Sequence, residues 1–207
     1  DITKNDSFGQ LCAFGGHRFS TGWARDQKVF FWAEVSRGAV DTVMFNGRYM
    51  RFNLGNTSDG EQILLKVALS PVSIEGARAN MSSELPDWDF DAVKAAARSA
   101  WNRELSKVRI STKDNDRKTV FYTAMYHSMV APSLFCDVDM QYRGSDDKVR
   151  KGDFVNYTTF SLWDTYRSQM PLMTIIHPEK MQDIVSTMYH IYLEQGDLPV
   201  WHLMGNL

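Results

Sequence analysis

The hydrophobic and polar positions divide the chain into a first part with β-like patterns and a second part with helical patterns. The runs 29–35 and 63–69 are apolar and rich in β-favouring residues, so both are predicted strands, the first of a kind that is buried on both faces. Between them, Asn46 and Gly47 separate two half-apolar runs and predict a tight hairpin. We expect residues from 8 to about 73 to form an antiparallel sheet. Because a lone sheet leaves an apolar face uncovered, this sheet is predicted to belong to a sandwich.

Helical periodicity begins after Pro86. Acidic residues open the run 87–105, whose later apolar positions recur with a helical period, and this predicts a helix that links two domains. A second amphipathic helix is predicted from about residue 116, and Pro132 ends it. Its apolar stripe consists of Phe121, Met125 and Met129.

The segment from Pro178 to Gly196 carries both start and stop signals of a helix. Pro178 suits the first turn, Glu179 stands beside it, and Gly196 follows the last periodic residue. The predicted apolar stripe consists of Met181, Ile184, Val185, Met188, Ile191 and Tyr192.

Aromatic, hydroxyl and charged groups are concentrated in the stretch 156–167, which runs Asn-Tyr-Thr-Thr-Phe-Ser-Leu-Trp-Asp-Thr-Tyr-Arg. We predict one short helical segment here, with Thr158 or Thr159 as its cap. The residues at helical spacing are Phe160, Trp163, Arg167 and Met170.

This stretch has two interpretations that the sequence leaves open. Asp164, beside the Trp163 indole and one turn before Arg167, can hydrogen-bond a hydroxylated ring while the indole covers the C–H face of that ring. Alternatively, Trp163 belongs to the core, and Asp164 and Arg167 form an ordinary surface ion pair.

Composition limits the possible partners. The 207 residues are 43% hydrophobic, which is enough for one large domain or two small ones. A formal net charge of −2 provides no basic field, so we expect no nucleic acid as a partner. No apolar run approaches the ~18 residues of a membrane span, so no membrane span is expected.

Few of the remaining residues indicate chemistry. Cys12 and Cys136 are far apart in sequence and fall in different predicted domains, so no disulfide between them is expected. Acidic residues cluster at 137–139 and 146–147, but they lack the ligand spacing of an EF-hand loop, which favours solvated carboxylates over a metal site. His127, within a predicted helix, is expected to be a core or groove histidine.

Several ordered motifs resemble glycoside hydrolase family 92, whose members are calcium-dependent exo-acting α-mannosidases. The motifs span residues 72–80, 88–91, 121–139, 142–144, 157–167, 198–201 and 205–206. The resemblance implies an α+β multidomain fragment: part of an antiparallel β-sandwich at 1–85, a helical linker at 86–115, and the first helices of an (α/α)6 barrel catalytic domain at 116–207.

The resemblance also implies a reaction. It predicts inverting hydrolysis of α-mannosides by a secreted or periplasmic enzyme that acts on mannose-containing glycans, with Ca²⁺ binding sugar hydroxyls. Sugar contacts are expected from Trp163, Asp164 and Arg167, and from Trp201 and His202, which lie in a loop that the family places near the catalytic mouth.

The resemblance assigns no catalytic acid or base in this chain. In the family, a glutamate acting as general acid follows the Gly-Asn motif, whereas Leu207 follows Asn206 here. The calcium ligands are equally unassigned. We therefore expect the chain alone to be inactive and to require the remainder of its own polypeptide, and the alternative is a non-catalytic carbohydrate-binding or structural remnant of the family.

Overall fold

The computed structural model describes residues 2–3, 12–21, 26–45 and 49–204. The strands are β1 Ile2–Thr3, β2 Cys12–Ser20, β3 Gln27–Val35, β4 Asp41–Phe45, β5 Tyr49–Asn53, β6 Leu65–Ser70, β7 Ser133–Leu134, β8 Gln141–Arg143, β9 Val149–Lys151, β10 Tyr157–Thr158, β11 Phe160–Ser161 and β12 Trp201–His202. The helices are α1 Ile74–Glu84, α2 Phe90–Leu105, α3 Asn115–Ser128, α4 Leu162–Thr165, α5 Gln169–Ile176 and α6 Pro178–Gln195. Within these residues, no helix is long and apolar enough to cross a membrane.

The first part of the chain forms a four-stranded antiparallel sheet with the order β1-β2-β3-β6. Its register places Gly15 opposite Trp32, and Trp32 opposite Ala68. The two strands predicted at 29–35 and 63–69 are thus confirmed as β3 and β6. The hairpin is present as the pair β4-β5, although the predicted Asn46-Gly47 turn lies outside the described residues.

One face of the sheet packs against α1, a helix that the sequence patterns do not predict. Ser73 is the N-cap of α1, since its hydroxyl oxygen accepts a hydrogen bond from the Gly76 amide at 2.9 Å. Trp32, Ala77 and Met81 form the buried cluster between sheet and helix. This face is therefore covered by a helix, whereas a sandwich would cover it with a second sheet.

The opposite face of the sheet is apolar and only partly covered. The Phe14 ring lies 4.9 Å from the Phe52 ring of β5, centroid to centroid, so the β4-β5 hairpin packs on this face. Leu65, Val67 and Leu69 of β6 are each about half exposed or more, at 62%, 49% and 60%. The two-face burial predicted for 29–35 therefore holds near the end of β3, at Trp32 and Ala33, while the edge strand β6 leaves one apolar face exposed.

The helices predicted to begin near residues 87 and 116 are confirmed in type and approximate bounds. Asp89 caps α2 by accepting from the Ala92 amide at 2.8 Å, and α2 has no buried residue. Met125 of α3 packs with Met173 and Ile176 of α5, with Phe121 and Met129 beside them, as the predicted stripe requires.

Helix α6 ends at Gly196, which adopts a left-handed φ of 89°. Ile184 and Ile191 are buried as predicted. Val185 and Tyr192 are exposed, at 57% and 46%, so their assignment to the core stripe is wrong for the described chain. Both residues lie beside the buried stripe. The predicted stripe was wider than the face that α6 buries against its neighbours.

A buried carboxylate connects the sheet to the segment after α3. Asp137 accepts from the Ser70 hydroxyl and from the Asn80 amide group, each at 2.8 Å. The Asn80 carbonyl oxygen in turn accepts from the Val138 amide at 2.9 Å. Burial raises the pKa of Asp137, and its two hydrogen-bond donors oppose that shift.

An arginine makes a second connection in the same region. Arg143 of β8 donates to the carbonyl oxygens of Pro71 and Val72, at 2.8 and 2.9 Å, just beyond the end of β6. It also pairs with Asp147, which Lys28 of β3 contacts from the other side. The β8-β9 hairpin is thereby fixed against the sheet.

Candidate functional site

The stretch 156–167 forms two short strands and one turn of helix, and the prediction of a single helical segment is wrong. It consists of β10, β11 and α4, and Ser161 precedes the helical turn. Thr158 is fully buried in β10 and Thr159 has a φ of 68°, so neither residue caps a helix. The cause is strand pairing, since β10 pairs with β7 and β11 pairs with β12.

The four residues at helical spacing do not share a face. Phe160 is fully buried in a cluster with Tyr157, Ile184 and Ile191. Trp163 is 61% exposed, so the interpretation of Trp163 as a core residue is also wrong. An exposed indole is available to a ligand.

The pairing of β11 with β12 brings two predicted site residues together. Trp201 lies opposite Ser161, and the centroids of the Trp163 and Trp201 rings are 6.2 Å apart with an interplanar angle of 51°. The Ser161 hydroxyl oxygen accepts from the Trp163 indole N–H at 3.1 Å and donates to an Asp164 carboxylate oxygen. Indole rings, hydroxyl and carboxylate thus form one surface cluster.

Asp164 and Arg167 do not form the surface ion pair that the sequence also allowed. Both side chains are exposed, and within the described chain no ion pair joins them. The Arg167 guanidinium lies over the Tyr166 ring, 5.4 Å from its centroid. Among the described residues no cation pairs with Asp164, whose carboxylate lies beside the Trp163 indole, whereas Arg167 faces another aromatic ring.

His202 faces the interior, away from the surface of its neighbour Trp201. It is 5% exposed, with Nδ1 3.3 Å from the Thr158 hydroxyl and Nε2 3.2 Å from the Ser145 hydroxyl. Successive residues of a strand point to opposite faces, which explains why only one of the two reaches the surface. The geometry gives no support to the predicted sugar contact by His202.

The burial of His202 predicts a specific loss of stability in acid. Desolvation lowers its pKa from 6.5 to about 4, so between these values the unfolded chain binds the extra proton and the free energy of unfolding falls as the pH falls. We expect His202 to lower the free energy of unfolding by about 2–3 kcal/mol as the pH falls from 7 to 4.5. Urea unfolding of the wild type and of His202→Gln at both pH values measures this decrease. If both proteins lost the same free energy of unfolding at the lower pH, His202 would not be its cause.

The acidic clusters are accounted for by structural contacts. Asp146 pairs with Arg150, which holds the pKa of that carboxyl far below its usual range, and Asp147 pairs with Lys28 and Arg143. In the part of the chain that the structure describes, no group of three or more His, Cys, Asp or Glu side chains could hold a metal ion. Leu207 lies outside the described residues.

A separate groove of about 300 Å³ lies among the helices. Trp101, Met129, His177 and Lys180 are among its lining residues, and its walls are mainly apolar. The His177 Nδ1 atom is 2.9 Å from the Lys107 ammonium nitrogen. None of the predicted site residues lines this groove, so the cluster around Trp163 remains the candidate site.

The sequence patterns missed the residues that organise this cluster. Ser161 connects Trp163 to Asp164, while Thr158 and Ser145 hold His202. Hydroxyl side chains are common and give no local signal of such a role. The pairing of β11 with β12 would have to be known first, and it joins residues about forty positions apart.

Known proteins resemble this chain in sequence and in structure. A family model described as the glycosyl hydrolase family 92 catalytic domain matches residues 76–207. An uncharacterised secreted glycosidase of Arthroderma benhamiae is 27% identical over 140 residues, which cover 65% of this chain and 17% of that protein.

Two solved structures illustrate the likeness of fold. A family GH92 α-mannosidase from Bacteroides thetaiotaomicron superposes with a TM-score of 0.85 and 32% identity, covering 99% of this chain and 30% of that one. An inverting GH92 mannosidase from the same organism superposes with a TM-score of 0.84 at 24% identity, covering 94% and 29%. The chain spans less than a third of the length of these relatives. The β-rich region and the helices that follow it are similar to those of GH92 structures, and the chain belongs to glycosyl hydrolase family 92.

Proposed function

We propose that this chain is part of a glycosidase that releases mannose from α-mannosides, and that Trp163, Asp164 and Trp201 contribute a sugar-binding surface. The observation that carries the proposal is that the β11-β12 pair brings two accessible indoles together, with the Asp164 carboxylate held beside Trp163 by Ser161. The structural neighbour that is 32% identical is an α-mannosidase, and it has also been solved in complex with mannoimidazole.

The chemistry of the cluster suits a sugar ring. An aromatic face packs against the C–H groups of a pyranose, and a carboxylate accepts hydrogen bonds from its hydroxyls. Trp163 is exposed and Trp201 half-buried, so the two rings offer a tilted platform with Asp164 at its side. We propose Arg167, whose guanidinium lies over the Tyr166 ring, as a donor to a further sugar hydroxyl outside this platform.

Exposed apolar faces support the proposal that the chain belongs to a larger polypeptide with a β-sandwich and an (α/α)6 barrel. On α6, Val185, Tyr189 and Tyr192 are all about half exposed, on a side away from the buried Ile184 and Ile191. A helix with two apolar faces is suited to a place between two layers of helices. On the sheet, the exposed apolar side chains of β6 equally suit a further β layer.

We propose an inverting reaction assisted by calcium, as the family resemblance implies. Inversion requires one carboxyl group as acid and another as base, on opposite sides of the scissile bond. The described residues do not fit a calcium site, since no cluster of ligating side chains is formed among them. We therefore assign this chain no calcium ligand and no proton transfer, and its own part is to bind and orient the sugar.

One observation favours the alternative of a carbohydrate-binding remnant without catalysis. The described residues bring together the groups proposed to bind sugar, while the buried or clustered carboxylates at 137 and 146–147 are engaged in structural hydrogen bonds and ion pairs. We propose a secreted or periplasmic location for either case. The fungal relative is a secreted glycosidase.

The test is the release of mannose by the complete polypeptide that contains this chain. We expect turnover of an α-mannoside with β-mannose as the first anomer seen by proton NMR, lost on treatment with a chelator and restored by Ca²⁺. Binding of mannosides without any turnover would favour the carbohydrate-binding alternative. The absence of both binding and turnover would reject the enzyme proposal and the carbohydrate-binding alternative.

A further inference from the structure

We infer that His202 is a positioning residue, which holds Trp201 against Trp163 by fixing β12 from the inside. The inference rests on the proposed function only for its kinetic consequence. Its structural basis is the pair of hydrogen bonds from the imidazole ring to Thr158 and Ser145, on the face of β12 opposite Trp201.

Strand β12 needs such support because its ladder is short. Only two residue pairs, Phe160 with His202 and Ser161 with Trp201, join it to β11. Three further bonds flank these pairs: Leu162 N–H to the Val200 carbonyl at 3.1 Å, the Gln27 side-chain amide to the Leu203 carbonyl at 3.1 Å, and Met204 N–H to the Thr158 hydroxyl oxygen at 2.7 Å. A two-residue ladder is marginal without contacts from its side chains.

The hydrogen bonds of the imidazole suit its neutral form. The Thr158 hydroxyl oxygen accepts from the Met204 amide and keeps its own proton, which it can donate to His202 Nδ1. In this tautomer, Nε2 carries the ring proton and donates to the Ser145 hydroxyl oxygen. Burial favours this neutral form. The ring therefore connects β12 to two separate elements through directed bonds, one at each nitrogen.

Both partners of His202 are anchored. Thr158 is fully buried in β10. The Ser145 amide donates to a Glu194 carboxylate oxygen at 2.7 Å, and Glu194 belongs to α6, with a side chain only 5% exposed. His202 thereby links the surface cluster to the helical part of the chain. Removing either hydroxyl releases one side of the ring and leaves a buried nitrogen without its partner.

The expected result is a displaced Trp201 ring and weaker sugar binding. The complete polypeptide is labelled with 5-fluorotryptophan, and the fluorine resonance of Trp201 is assigned by its loss in Trp201→Phe. We expect Thr158→Val and Ser145→Ala to shift or broaden this resonance. We also expect the KM for an α-mannoside to rise about ten-fold with a smaller change in kcat, since the platform binds the sugar without taking part in bond cleavage.

Three further variants separate positioning from general destabilisation. Ser70→Ala removes an equally buried hydroxyl near Asp137, and it should lower stability without moving the Trp201 resonance. His202→Asn retains an acceptor near the position of Nδ1, and it should restore the resonance further than His202→Ala does. Ser145→Ala is the milder change, so it keeps the test decisive if Thr158→Val fails to fold.

Failure of this inference can be distinguished from failure of the proposed function. If the Trp201 resonance and the KM were unchanged in both Thr158→Val and Ser145→Ala while mannoside turnover continued, the inference would be overturned. If the wild type turned over no mannoside but the resonance still moved, the positioning role would stand and the proposed function would fail.

Discussion

Replacing Gly76 by alanine is expected to lower the free energy of unfolding by at least about 3 kcal/mol. A Cβ atom at this position would lie 2.2 Å from an Asp137 carboxylate oxygen and 2.8 Å from the Ser70 hydroxyl oxygen. The carboxylate cannot withdraw freely, because its other oxygen accepts from Asn80 at 2.8 Å. Moving it would leave the buried donors of Ser70 and Asn80 unpaired.

Urea unfolding of the chain measures this effect. Ser83→Ala, on the exposed side of the same helix, is the matched control and should change stability by less than about 0.5 kcal/mol. Asp137→Ala alone should also destabilise, but adding it to Gly76→Ala should cost less than the two separate losses, since the clash is then removed. A Gly76→Ala protein as stable as the wild type would contradict the close packing of α1 on Asp137.

Hydrophobic periodicity predicted the regular elements that carry a clear pattern of their own. The strands at 29–35 and 63–69 and the helices that became α2, α3 and α6 were each indicated by their own residues, caps and stop signals. Helix α1 was missed because its segment carries a weak apolar pattern, although Ser73 before Glu75 was a usable start signal.

The errors arose where distant segments decide the local structure. Phe160 and Trp163 stand at helical spacing, yet β11 pairs with a strand about forty residues later, and this pairing overrides the local pattern. The role of Asp137 depends on Ser70 and Asn80, which lie 67 and 57 positions away. No local pattern contains such information.

The candidate site was predicted in part for the same reason. The residue types at Trp163 and Asp164 indicated sugar chemistry, the family resemblance added Trp201, and the structure brings the three together. The inward direction of His202 depends on the register of β12, which the sequence does not reveal. A one-residue shift of that register would exchange His202 and Trp201 between interior and surface.

Replacing Asp164 by alanine in the complete enzyme is expected to lower kcat/KM by about ten- to a hundred-fold. A hydrogen bond from a sugar hydroxyl to a carboxylate is worth about 1.5–3 kcal/mol, and its loss in the transition state appears directly in kcat/KM. Asp164 is positioned for such a bond because the Ser161 hydroxyl holds its carboxylate beside the Trp163 indole. Steady-state kinetics with an α-mannoside measure the effect.

Stability and kinetics on the same variant separate the sugar-binding role from a surface role. Asp164 is exposed and unpaired with Arg167, so its replacement should change the free energy of unfolding by less than about 1 kcal/mol. Asp153→Ala, at another exposed aspartate of the chain, should leave both stability and kcat/KM nearly unchanged. If Asp164→Ala had the same kcat/KM as Asp153→Ala, Asp164 would be an ordinary surface charge. The platform would then reduce to its two indoles, because no other carboxylate touches Ser161 in the described chain.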